Sequence, residues 1–336
     1  MNPISPGDLA RTFVDQRSNT SLKSTMQRLS QELTSGIRSD ISTATAGDYR
    51  PIAALARTEK TINAYSTAAA EAAQIATAMQ ASLGVVQDYS SELGPAFLMA
   101  AISEGGAIVD TAGLDAKTKF SSVLSSFNTR VADRNAFSGT TTNSPAFADA
   151  ATILTSLRTA TAAETTAAGV VSVVESWFDT VGGGFETDAY LGSMTKLSEV
   201  AVSKDIQVGL TITGADADVR ETLKGFALGA LLDDGILGAD NVERAELSRL
   251  TGEKLLSSQS NLSGLRANLG LVEAEIETAQ AGNSASKAAI QLTRAELTGV
   301  DPYRTAVELE AAQSQLETLY TLTSRMSRLS LADFLR

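Results

Sequence analysis

The sequence predicts a mainly α fold: an elongated antiparallel helical bundle or coiled coil built from the N- and C-terminal segments, with a small α+β domain inserted in the middle. Three observations carry this prediction. Apolar residues recur every three or four positions over long stretches at both ends, the spacing that lines up one helix face. Aromatic residues make up only 5% of the chain while Ala, Ser, Thr and Leu fill the regular stretches, which favours thin helix packing over a thick mixed core. Composition then changes between residues 137 and 214, where turn residues and strand-like runs collect.

After a breaker-rich start (Asn2, Pro3, Pro6, Gly7), Leu9 to Leu33 reads as a helix with Phe13, Met26, Leu29 and Leu33 as its apolar positions, ended by Gly36. Ile37 to Tyr49 is polar and short-sided, so an extended or irregular connection is expected up to Pro51, a favoured first-turn residue. Residues 1–50 are thus expected to form an N-terminal helix and connector, the segment that the resemblance given below makes an assembly helix. Ile52 to Glu104 is an Ala-rich helical pattern that Gly94-Pro95 could kink. Glycines 105, 106 and 113 mark a turn, and Ala116 to Ala132 returns as the second arm of an αα-hairpin. Residues 51–136 are the first part of an inner helical bundle.

The insert spans 137–214. It contains the sole tryptophan, Trp177, a Gly182-Gly183-Gly184 loop, and two β-like runs, Leu197 to Val202 and Ile206 to Thr213. Helical pattern resumes over Asp216 to Leu232 and Asn241 to Thr298, so 215–299 is the second part of the inner bundle. Gly299 and Pro302 separate it from the C-terminal assembly helix, 300–336. There Leu309, Ala312, Leu316, Leu319, Leu322, Met326 and Leu329 form one narrow seam, followed by Leu331, Phe334 and Leu335. A seam that narrow cannot be buried by its own helix and needs a partner. The near-palindromic layout offers Leu9 to Leu33, antiparallel, and the same seam is a candidate contact with other subunits.

Net charge of −12 and a pI near 4.6 argue against nucleic acid or an anionic membrane as partner, because no basic cluster is dense enough to displace phosphate counterions. The longest apolar run, Leu93 to Ile102, is about half a membrane span, and no charged-then-apolar signal region opens the chain, so a soluble protein is expected. Cysteine and histidine are both absent. That removes thiol nucleophiles, disulfides, imidazole bases and the usual zinc ligands together, and the expectation is a non-enzyme with no cofactor and no metal.

Short motifs do not change this. Ser193-Met194-Thr195-Lys196 fits S-x-x-K but lacks its S-D-N and K-T-G companions. The triple glycine has no phosphate-loop context. Glu273, Glu275 and Glu277 sit at two-residue steps, which a helix points in different directions. A carboxylate-dependent module in the insert would have to draw on Asp149, Glu164, Glu175, Asp179, Glu186 and Asp188, whose spacing is uninformative. A coiled-coil scaffold is a further alternative.

Four stretches resemble the bacterial flagellin superfamily. Gln31-Glu32-Leu33-Thr34-Ser35-Gly36-Ile37-Arg38 is similar to its leucine, small residue, serine, glycine, basic signature. Asp133 to Thr140, with Pro145-Ala146-Phe147, resembles its phenylalanine, small residue, glycine, threonine strand start. Leu265-Arg266-Ala267-Asn268-Leu269 and the terminal helix resemble its C-terminal half, and Ser330-Leu331-Ala332-Asp333-Phe334-Leu335 is most similar to its hook–filament junction members. The resemblance covers Leu9 to Gly139 and Asp216 to Arg336. It departs between Thr43 and Pro51, where the superfamily's acidic pair is reduced to Asp48. The resemblance implies paired terminal helices, an inner bundle and a variable outer insert. It also implies export through the flagellar type III apparatus without a cleaved signal, and a structural place in the flagellum. The implied partners are hook-associated protein 1, flagellin, copies of the same chain in a ring, and a flagellar export chaperone.

Overall fold

The computed structural model describes residues 6–44, 47–103 and 106–334, with side chains at 10, 13–42, 47–103 and 106–325. The chain is mainly α and divides into two units, residues 1–62 with 285–336, and residues 63–284.

The first unit holds α1 (Pro6–Ser35), α2 (Ile41–Ala44), the opening turns of α3 (Arg50–Ile102), the closing turns of α8 (Asn241–Thr298), and α9 (Pro302–Phe334). Each start has a physical cause. Pro6 and Pro302 occupy first-turn positions, where a missing N–H costs nothing. The Asp48 carboxylate accepts the Arg50 N–H at 3.0 Å, and the Asp301 carboxylate accepts those of Tyr303 at 3.0 Å and Arg304 at 3.3 Å. Over the connector expected to be irregular, Asp40 accepts the Ser42 N–H at 3.0 Å and supports the short α2. The chain therefore makes a helical turn there, which a four-residue segment is too short to announce by periodicity.

The second unit is built on α3, α4 (Gly106–Phe127), α7 (Ala217–Asp233) and α8. α3 and α8 run antiparallel. Their register is fixed by hydroxyls and an amide that donate to carbonyls of the facing helix: Ser90 to Leu255 O, Ser248 to Phe97 O and Gln80 to Arg266 O, all at 2.8 Å. α4 returns beside α3, tied by Ser82 to Ser126 O at 2.8 Å and Lys119 to Glu92 at 2.8 Å, and α7 packs along α4.

Several elements differ from expectation. α3 passes through Gly94-Pro95 as one helix to Ile102, and the expected terminus at Glu104 lies outside the described residues. α4 begins ten residues before Ala116, so Gly106 and Gly113 are helical. Gly113 is there for clearance: a Cβ on it would lie 2.8 Å from the Asp233 backbone nitrogen. The helix also stops at Phe127 and not at Ala132. The chain then turns through β1 (Arg130–Val131) and β2 (Arg134–Asn135), an antiparallel hairpin whose two tip residues, Ala132 and Asp133, have positive φ. The two β-like runs contract to β3 (Val200–Ala201) and β4 (Gln207–Val208), paired antiparallel.

The insert is more helical than its composition suggests, with α5 (Ala150–Thr161), α6 (Ala167–Asp179) and a π-helical turn at Phe185–Ala189. The scarce aromatics concentrate at its base. Phe127 meets Phe137 edge-on at 5.1 Å, Phe147 meets Tyr190 at 5.6 Å, and Phe185 stacks on Tyr190 at 5.8 Å. Burial pushes the Tyr190 phenol up to about 12, so it stays a hydrogen-bond donor, with the Phe137 and Ser193 carbonyls each 3.1 Å from it. Among the described residues no helix is long and apolar enough to cross a membrane.

Candidate assembly interface

α1 and α9 lie side by side. Ile37 and Gly299 form an antiparallel bridge, with Arg38 N–H donating to Thr298 O at 2.9 Å and Val300 N–H to Gly36 O at 3.1 Å. From that point the two helices run antiparallel, Arg28 and Glu32 near Thr305, Met26 near Leu309, and Lys23 over the Tyr320 ring at 5.9 Å. The Lys23 and Asn19 side chains hydrogen-bond the Tyr320 phenol and lower its pKa.

The seam between them is thin. Among the described side chains of α1 and α9, only Leu29, Glu32, Thr305 and Ala312 are buried. Met26, Leu309, Leu316 and Leu319 are half-buried along the same contact, and Leu22 joins them. Phe13, Leu33 and Leu322 stay outside it, at 68%, 38% and 54% exposure. Helix geometry explains two of these. At about 100° per residue, Phe13 points roughly 160° away from Leu29, and two consecutive three-residue steps carry Leu322 about 120° from Leu316. Leu33 shares the Leu29 face but sits at the end of α1, where Glu32 takes the interior position. The side chains of Leu9, Met326, Leu329, Leu331 and Phe334, and all of Leu335, lie outside the described residues.

The sequence pattern passes over Glu32, because an acid inside an apolar seam carries no periodic signal. Its carboxylate accepts the Ser39 N–H at 2.9 Å and pairs with Arg28 at 3.1 Å. Desolvation is the largest influence and would raise its pKa. The Ser39 hydrogen bond and Arg28 outweigh it together and hold the carboxyl below the usual range. Tyr303 (81%), Val307, Val14 and Tyr320 add to the exposed apolar surface of the pair.

Among the described residues, the groups named for the alternative chemistries make local structural contacts. Lys196 pairs with Asp216 at 2.9 Å, while the Ser193 hydroxyl accepts the Thr195 N–H. In the triple-glycine loop, the Gly182 N–H donates to Glu186 at 2.8 Å, and Gly184 packs against the Trp177 ring. Four of the insert's acids are engaged structurally: Asp149 caps α5, Glu175 and Asp179 meet lysines, and Asp188 accepts from Ser156.

Charge divides unevenly. The first unit holds 14 Lys and Arg against 12 Asp and Glu, and the second the remaining 13 against 27. The acidity of the chain therefore belongs to residues 63–284.

No curated protein sequence matches the chain. Among solved structures, that of a putative flagellar hook-associated protein from Vibrio parahaemolyticus aligns over 71% of this chain and 95% of its own, with 15% identity and a TM-score of 0.41. Residues 255–335, the later part of α8 and all of α9, match the family described as the bacterial flagellin C-terminal helical region.

Proposed function

We propose that this protein is a structural subunit of the bacterial flagellum, the hook–filament junction protein known as hook-associated protein 3. It would join hook-associated protein 1 to flagellin by helix packing. The observation that carries the reading is the α1–α9 pair: two helices of 30 and 33 residues with only four buried side chains described between them. A two-helix pair without a core of its own is marginal in water and is completed by neighbours that cover its exposed apolar residues. The flagellin-type region at 255–335 supports a structural flagellar role, and the ending Ser330 to Leu335 favours the junction over the filament.

On this reading the chain is exported by the flagellar type III system, meets an export chaperone on the way, and forms a ring of identical copies outside the cell. The terminal helices order fully only in that ring. Strong amide protection of both Leu9 to Leu33 and Leu309 to Leu329 in the isolated monomer would overturn this ordering step. Deletion of the gene separates the two flagellar roles. Hooks without filaments, with flagellin shed into the medium, are the expected outcome; loss of the main filament protein itself would identify the chain as flagellin.

A further inference from the structure

α6 is held on α7 and α8 at both ends and in the middle by carboxylates. At its N-terminus the Ala167 N–H donates to Glu243 of α8 at 2.6 Å. In its middle Glu175 pairs with Lys254 of α8 at 2.7 Å. At its C-terminus Arg220 of α7 donates to the Phe178 carbonyl at 3.0 Å, and Lys224 of α7 pairs with Asp179. Each contact matches the helix dipole or an opposite charge, an acid at the positive end and two cations at the negative end. Lys224 is 1% exposed and shares Glu221 with Lys254, so the chain of charges runs Asp179, Lys224, Glu221, Lys254, Glu175.

We propose that this chain is an acid-released latch: when its carboxylates are protonated, α6, with α5 attached to it, separates from α7 and α8 while α3, α4, α7 and α8 remain helical. Protonation leaves the interior ammonium of Lys224, the Lys254 ammonium and the Arg220 guanidinium close together without a counter-charge, and an uncompensated buried charge is strongly destabilising. The charged groups that face the latch are Glu175 and Asp179 from α6, Arg220, Glu221 and Lys224 from α7, and Glu243 and Lys254 from α8. Glu164 and Asp240 stand near the Glu243 end, with Arg158 of α5. Asp188 of the π-helical turn is tied to Ser156 and takes no part.

The direction follows from two of these groups. Burial alone would raise Glu221, but Lys224 and Lys254 bring its pKa below the ordinary carboxylate value, so its contribution is complete above that value and is lost as pH falls. Burial would lower Lys254, but Glu175 and Glu221 bring it above the ordinary lysine value, so its contribution is lost only at strongly alkaline pH. The acid side is therefore the working side.

The absence of cysteine allows a direct test on the full chain. Spin labels on Ser172→Cys in α6 and Ser257→Cys in α8, both exposed positions, report the separation of the two helices by electron–electron distance measurement. One short distance is expected at neutral pH, with a longer population growing as pH falls through the carboxylate range while far-UV circular dichroism is unchanged. Added Lys224→Met, which removes the buried cation, should cut the long-distance population at a given acid pH at least threefold. If that variant does not fold, Lys254→Met is read in the same way. A distance that stays fixed down to the pH at which helicity is lost overturns the latch, as does a folded Lys224→Met protein that opens along the parent's pH curve.

Discussion

Gly139 shows how much one residue can be asked to do. Its φ is +58°, and a Cβ there would run into the Ser193 carbonyl oxygen and lie 2.6 Å from that of Thr195. Gly139→Ala combines backbone strain with a clash against rigid main chain, and a loss of about 2–4 kcal/mol is expected in denaturant unfolding. A change under about 0.5 kcal/mol would mean that the 138–141 and 193–195 strands of chain can part freely. Glu32 makes a different kind of claim. Its carboxyl is held below the ordinary range, so its support of the α1 end is full above that range and is lost as pH falls through it. The protection factor of the Ser39 amide, whose N–H it accepts, should therefore fall in the parent as pH drops through and below the ordinary carboxylate range, and Glu32→Gln should flatten that dependence.

At the scale of elements, periodicity carried the long helices and little else. α3, α8 and α9 were legible because many repeats of a 3.6-residue pattern leave no competing reading. α5 was hidden by its Ala, Thr and Ser content and α6 by a valine-rich run that favours strand over helix, and their capping residues, Asp149 and Thr166, are the signal that could have revealed them. The strand-like alternation of Ile206 to Thr213 arose from burial of Val208 and Ile212 on a loop that pairs over only two residues. In the candidate interface, Met26, Leu29, Leu309, Leu316 and Leu319 were readable as a seam. Glu32 and Leu22 were not, and the outward direction of Phe13 and Leu322 needed helix phase over several turns. The element-level expectation concerns Leu316, half-buried along α9. Leu316→Asp should abolish assembly while the unfolding free energy of residues 63–284 changes by less than about 0.5 kcal/mol, because the substitution lies in the other unit. Sedimentation of the assembled form, with Trp177 emission reporting the second unit, checks both halves; assembly that survives the substitution removes α9 as the joint.

For the whole molecule, the division of charge sets how assembly should respond to salt. Copies that meet through the first unit, with 14 cations against 12 anions, carry almost no net repulsion to screen. Copies that meet through the second unit, with 13 against 27, would associate much faster as salt rises. Assembly followed by light scattering should vary less than about threefold between roughly 50 and 500 mM salt. A steep rise with salt would assign the contact to residues 63–284 instead.

The bridge between Ile37 and Gly299 joins residues 262 positions apart in the chain. Without it, α1 would search for α9 from the far end of a long loop; with it, each helix meets the other at the high effective concentration of a hairpin arm. The pair is then a zipper of two helices closed at the Ile37–Gly299 end, and separation of its arms is expected to begin at the opposite end, between the start of α1 and the end of α9.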